Sequence, residues 1–385
     1  MSRTLETGGR PVVARAFLAL AVAMGLGRFA YTPILPLMLG QTGLRPASAA
    51  TLATANYLGY LAGAVAAIAV PGIARSVLAL RMSLVAQVAT IAAMAATESV
   101  AAWAGLRFVA GVASAGVFVF TTRVAHEQVR ADGDGVGWVF GGVGGGIVLS
   151  AVSVLALGED ADWRVAWLVA AALAAVLGVT AWTLPGGGHS GAGEASPRTV
   201  PGARPRRGFG WLTVAYFCEG LGYIVSATFL VAAVAAAGSA PWLGAAVWIA
   251  VGAAVVPSCV MWSRLSRRHS PASMMTLALV IQAVAVAVAV SAATGAAAAQ
   301  LIGALCFGGT MIGIVMLALG EGARLAGPRA AAMLTSVYGL GQVLGPVVVA
   351  PLLGRGYGAA LAVAAAVLAA GALCMVPVLR AETTA

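Results

Sequence analysis

The 385-residue chain is 61% apolar and 9% charged, against about 45–50% and 25% in soluble domains. That excludes a soluble globule and makes lipid the solvent. Its net charge of +10 and its 22 basic residues come entirely from arginine. Without lysine the chain holds neither a Walker A ATPase nor a retinal Schiff base.

A spanning helix needs ~20 apolar residues to cross hydrocarbon about 30 Å thick. The hydropathy pattern predicts twelve, at 13–38, 48–70, 76–97, 99–123, 135–157, 164–184, 211–237, 241–262, 271–293, 297–319, 329–353 and 358–379. The first is too long, and too interrupted by Arg28, Pro33 and Pro36, to be a cleaved signal peptide. Fifty glycines fit helices that approach closely where no hydrophobic effect drives them together.

Residues 185–210 are rich in Gly, Pro and Ser and carry Arg198, Arg204, Arg206 and Arg207. They read as a flexible cytoplasmic linker between an N-terminal six-helix bundle (1–184) and a C-terminal one (211–385). With alternating connectors, one side collects the linker arginines with Arg15, Arg75, Arg81, Arg123, Arg264, Arg267, Arg268 and Arg324. The other receives only Arg45, Arg164 and Arg355. Positive charge marks the cytoplasmic side, so both termini are expected in the cytoplasm and the chain in a bacterial inner membrane. Placed between apolar segments, these arginines set topology and do not bind nucleic acid.

The halves echo each other. Gly25-Leu26-Gly27 of span 1 recurs as Gly220-Leu221-Gly222 of span 7, and the span-5 run from Gly137 through Gly141 to Gly145 matches Gly341 and Gly345-Pro346 of span 11. Duplicated halves with a site at their interface are a transporter signature. Gly111, Gly141, Gly145, Gly341, Gly345 and Pro346 are therefore expected to serve helix packing or gating.

A charge inside a span costs about 2.5–3.5 kcal/mol on insertion scales and marks a functional site by default. Arg28, Arg107 and Glu219 are such charges. Arg28 with Tyr31 and Thr32, and Glu219 with Tyr223 and Ser226, read as polar stripes on single helix faces. The repeat sets Arg28 and Glu219 about one turn apart in depth, so that they are expected to meet across a central cavity. Asn56 and Tyr60 of span 2, and Tyr338 and Gln342 of span 11, add polar lines. The substrate site is assigned to Arg28, Tyr31, Asn56, Tyr60, Glu219, Tyr223 and Gln342, and proton coupling to Glu219 and Arg107. A buried carboxyl suits proton carriage because desolvation and a moving cation act on it in opposite senses.

No metal site and no cofactor is expected. The cysteines lack Cys-x-x-Cys spacing, and His126-Glu127 lacks a second histidine.

Arg107-x-x-x-Gly111 and the span-5 glycines resemble motifs of the major facilitator superfamily. The segments Gly25-Leu-Gly-Arg-Phe-Ala-Tyr-Thr-Pro-Ile-Leu-Pro36, Asn56-Tyr-Leu-Gly-Tyr60 and Gly339-Leu-Gly-Gln-Val-Leu-Gly-Pro346 resemble its YbfB/YjiJ-type branch. The resemblance implies an all-α fold of two pseudo-symmetric six-helix bundles, alternating access, a cavity lined by spans 1, 4, 7 and 10, and proton coupling through Arg107. Two departures carry expectations. Gly72-Ile-Ala-Arg75 lacks the acidic residue usual in the loop after span 2, which implies a different cytoplasmic latch. Gly142 stands where antiporters carry proline, which weakens a drug-antiporter assignment.

The function expected is secondary active transport, not enzymatic catalysis: a proton-linked permease moving a small organic solute. Two intramembrane arginines against one glutamate favour an anion. The alternatives are efflux of apolar compounds by the same fold and, from another class, a membrane sensor or membrane-embedded enzyme.

Overall fold

A computed structural model describes residues 6–129, 134–158, 160–186, 208–291, 297–327 and 329–383. Most of the expected linker, Glu159, and the Asp132-Gly133 part of the turn before span 5 lie outside the described residues. Twelve helices are long and apolar enough to cross a membrane: α1 Arg10–Gln41, α2 Pro46–Ala69, α3 Val77–Ala96, α4 Val100–Gln128, α5 Gly135–Leu157, α6 Trp163–Ala181, α7 Phe209–Ala236, α8 Trp242–Leu265, α9 Pro271–Ala289, α10 Ala297–Ala326, α11 Ala330–Arg355 and α12 Tyr357–Ala381. The described residues contain no strand.

The ends follow local chemistry. Ser76, Ser99 and Asp162 cap α3, α4 and α6 by accepting the N–H of Ala79, Ala102 and Arg164. α10 runs seven residues past its expected end, to Ala326, where Gly327, with a φ of +67°, stops it in the left-handed conformation that glycine adopts without strain. The extension carries Glu321 into a fully buried position.

Within the N half the main contacts are α2 with α4, α1 with α5, and α3 with α4; within the C half they are α7 with α11 and α12, α8 with α10, and α9 with α10. The halves meet through α5 against α8, α2 against α11, and the second part of α1 against α7. Glycine sets how closely they meet. A Cβ at Gly144 of α5 would collide with the Gly252 carbonyl of α8, and one at Gly252 with the Gly144 carbonyl. Large apolar side chains such as Leu78, Val179 and Leu373 point outward, as a lipid-facing surface requires.

Candidate functional site

The site is built on a fault in α1. Ala21–Leu26 forms a π-helical turn, in which Gly27 N–H donates to Val22 O (2.9 Å) and Phe29 N–H to Met24 O (3.2 Å), each five residues back. Regular helix resumes at Tyr31, but Pro33 brings no N–H to the ladder and Thr32 N–H donates to Phe29 O (3.2 Å). The carbonyls beside this fault are met from α4: Arg107 donates through Nη1 to Gly27 O (3.0 Å) and through Nη2 to Arg28 O (3.1 Å). Non-helical backbone at membrane depth persists only with such partners.

Arg107 is held in turn. Asn56 Nδ2 donates to Arg107 O (2.8 Å), and a Cβ at Gly111 would collide with Asn56 O, so α2 and α4 touch backbone to backbone. Tyr31 places its ring under the Arg107 guanidinium at 4.9 Å and donates its hydroxyl to Ala49 O (3.0 Å). The expected Arg28–Tyr31–Thr32 stripe is therefore corrected: the fault rotates the later residues, giving Tyr31 to Arg107 and sending Thr32 Oγ1 to Ala227 O of α7 (2.7 Å).

Arg28 is 2% exposed. Its guanidinium lies over the rings of Tyr60 (4.2 Å), Tyr57 (5.1 Å) and Phe29 (5.7 Å), and Nη2 donates across the seam to Gln342 Oε1 of α11 (3.3 Å). Its Nε has no partner, and no described carboxylate pairs with it. The expected meeting with Glu219 does not occur. Glu219, fully buried, turns within the C half toward α9 and accepts from Gln282 Nε2 (3.2 Å). Its Oε2 is unpartnered. A matching place in the repeat does not fix the face that α7 turns to its neighbours, and Glu219 faces α9.

Tyr223 joins a column of rings with small tilts. Tyr216 and Tyr338 stack at 4.5 Å and 15°, Tyr338 and Tyr223 at 6.1 Å and 14°, and Tyr223 and Phe307 at 6.3 Å and 19°. Arg28 thus has neighbours from α2 and α11, and its surroundings extend beyond the α1, α4, α7 and α10 set that the family resemblance implies.

The glycines divide by face. Gly142 and Gly146 of α5 pack against Phe17 O and Ala21 O of α1, as Gly341 and Gly345 of α11 pack against Phe217 O and Leu221 O of α7. Gly141 faces Val256 O of α8, and Gly145 the Phe17 ring. The expected alignment, which set Gly137 and Gly141 against Gly341 and Gly345, is therefore shifted by five positions, to Gly142 and Gly146. Pro346 lies within α11.

Sequence reasoning passed over four polar groups. Gln87 of α3 and Gln282 of α9 are fully buried and separated by the same chain interval as Gly25 and Gly220, which makes them repeat counterparts. Gln87 Oε1 accepts from Ser114 (3.1 Å), and its Nε2 is unpartnered. Matching the repeat beyond glycine would have found both. Glu321 pairs with Arg324 (2.5 Å) at the end of α10. Asp134, before α5, binds Arg264 at the end of α8 through two nitrogens and Arg267 at 3.6 Å. This carboxylate joins the halves at one end of the seam, where the loop after α2 has no acid to offer.

A family model described as "Uncharacterised MFS-type transporter YbfB" matches residues 20–379. The chain belongs to this family of MFS-type transporters. It is thus a multi-pass membrane protein and a secondary transporter rather than an enzyme. Among solved structures, that of the nucleoside transporter NupG matches with a TM-score of 0.73 at 11% identity, covering 95% of this chain and 98% of that one. A mutant of NupG gives 0.72 at 10% identity with the same coverage. At such identities the likeness shows the MFS fold of two six-helix bundles. No curated protein matches the chain.

Proposed function

We propose that this MFS-type transporter carries a small organic anion by alternating access, coupled to protons. The observation that carries the reading is Arg28: a guanidinium buried at the seam, bonded across it to Gln342, with no described carboxylate to balance its charge. A buried charge lacking its counter-ion is costly, and a solute that brings a carboxylate relieves that cost. Tyr31, Asn56, Tyr60, Tyr223 and Gln342 shape or support the pocket. Arg107 holds the backbone of Arg28, so rearrangement of α4 acts directly on the substrate site.

Glu219 is the proposed proton site. Protonation neutralises a carboxylate that otherwise has one hydrogen-bond donor in an apolar surrounding. The excess of arginine on one side supports cytoplasmic termini, an inner-membrane location and a cytoplasmic linker over 185–210. Asp134 with Arg264 and Arg267 then latches the cytoplasmic ends of α5 and α8.

Solute-dependent proton flux in proteoliposomes tests the proposal. Arg28→Gln is expected to abolish uptake of anions, and Glu219→Gln to abolish concentrative uptake while leaving counterflow exchange. Wild-type flux in both variants refutes the site. Resistance to apolar compounds on overexpression, retained in Arg28→Gln, supports apolar-compound efflux instead.

A further inference from the structure

The rings about Arg28 narrow the kind of anion. Tyr57 and Tyr60, over which the Arg28 guanidinium lies, come from α2, and Tyr216, Tyr223 and Tyr338 from α7 and α11. Gln342, which binds Arg28, lies one turn beyond Tyr338 on the same face of α11. The guanidinium therefore stands beside the column formed by Tyr216, Tyr338 and Tyr223, whose successive tilts of 15° and 14° give nearly parallel faces. Tyr57 donates to or accepts from Thr228 (2.9 Å). The hydroxyls of Tyr60, Tyr216, Tyr223 and Tyr338, by contrast, bond no described residue. Tyr216 and Tyr223 are 1% and 2% exposed, yet none of these four oxygens is among the buried side-chain atoms that lack a partner, so each keeps a little open surface at which a ligand atom can meet it.

One ligand chemistry answers all three features, namely the unbalanced cation, the parallel rings and the idle hydroxyls. We infer that the transported anion is an aromatic carboxylate, its carboxylate on the Arg28 guanidinium and its ring along the faces of Tyr223 and Tyr338. An aliphatic acid would neutralise Arg28 but make no use of parallel π-faces, which favour offset or edge contact with another ring. Ring substituents with lone pairs accept from the free phenols. The inference rests on the proposed anion reading and adds the ring to it.

Four probes separate the two layers: benzoate, cyclohexanecarboxylate, benzamide and acetate, titrated against the purified full-length protein by calorimetry and thermal shift. Benzoate is expected to bind roughly three- to tenfold more tightly than cyclohexanecarboxylate, the ratio that a ring–ring contact supplies. Benzamide, matched in shape but uncharged, is expected to lose binding, as is benzoate with Arg28→Gln. Tyr338→Leu should bring benzoate down to the cyclohexanecarboxylate level, and Tyr338→Phe should keep the preference. Equal binding of benzoate and cyclohexanecarboxylate, both dependent on Arg28, overturns the aromatic inference and leaves the anion reading standing. Benzamide binding as well as benzoate, or benzoate binding unchanged in Arg28→Gln, overturns both. Absence of saturable binding by every probe overturns the aromatic inference.

Discussion

Arg107 of α4 holds two consecutive carbonyls of α1, Gly27 O and Arg28 O, with its two terminal nitrogens at 3.0 and 3.1 Å. A guanidinium fork matches this task because its donors are planar and fixed. An ammonium at the same place reaches only one carbonyl squarely. Arg107→Lys is therefore expected to lower stability by about 1.5–3 kcal/mol, the range for one charged hydrogen bond. Arg107→Ala is expected to cost more. Thermal unfolding of the purified protein in detergent measures both, and a Lys variant as stable as wild type would remove the fork from the account.

Gly25 of α1 and Gly146 of α5 face each other at a separation that admits no side chain: a Cβ on either would enter the other's backbone. Gly146→Ala is expected to destabilise by about 1–3 kcal/mol, as overpacking does. Gly178 of α6 offers the control, since nothing lies within 4 Å of a Cβ built there. Gly178→Ala should be neutral or gain up to ~1 kcal/mol from helix propensity. Melting temperatures of the two variants check the contrast.

Thr32 Oγ1 to Ala227 O (2.7 Å) and Tyr57 to Thr228 (2.9 Å) are hydrogen bonds between the halves. If the halves part on one side during transport, each bond stabilises the state in which it is made. A net hydrogen bond is worth about 1 kcal/mol, so Thr32→Val and Tyr57→Phe are each expected to shift the conformational equilibrium roughly fivefold toward the parted state. Spin-label distances across the seam report the shift. An unchanged distribution in both variants would mean that these bonds persist through the cycle.

The Arg264 hydrogen bond, aided by the charges of Arg264 and Arg267, lowers the Asp134 carboxyl below its ordinary value of 3.8. A depressed carboxylate stabilises the latched arrangement above that ordinary value and loses its contribution as pH falls through the depressed one. The latch is thus expected to be fully formed at neutral pH and to loosen only in strong acid. Because these side chains reach solvent, added salt should weaken it. Asp134→Asn should mimic acid at pH 7, raising the labelling rate of a cysteine introduced at the latched end of α8. Equal labelling in wild type and variant refutes the latch.

How much of this could be read from residues alone depended on what lipid enforces. Uncharged runs must be helices in hydrocarbon, so all twelve spans emerged with ends near those observed; Gly320 to Gly322 around Glu321 misled only because a short polar dip resembles an exit from the membrane. Membership of a span was legible, and Arg28, Asn56, Tyr60, Tyr223 and Gln342 do lie within spans of the two halves. Azimuth was not. Glu219 holds a repeat position about one turn from that of Arg28 yet faces Gln282, because an offset along the chain says nothing of the face a helix turns to its neighbour. The fault in α1 was hidden for a related reason: Gly25, Gly27 and Pro33 permit it, but Arg107, far along the chain, makes it tolerable. Gln87 and Gln282 escaped notice because an amide carries no charge to mark it as expensive.

The doubled hold on Arg28 has a mechanical consequence. Its head group reaches toward one half while its own carbonyl is fastened to α4 of the other, and the π-helical turn behind it can wind or unwind without breaking a long rod. If a solute draws on that head group, as proposed above, the pull is expected to pass into the α4 fastening at the Arg28 carbonyl rather than spread along the whole rod.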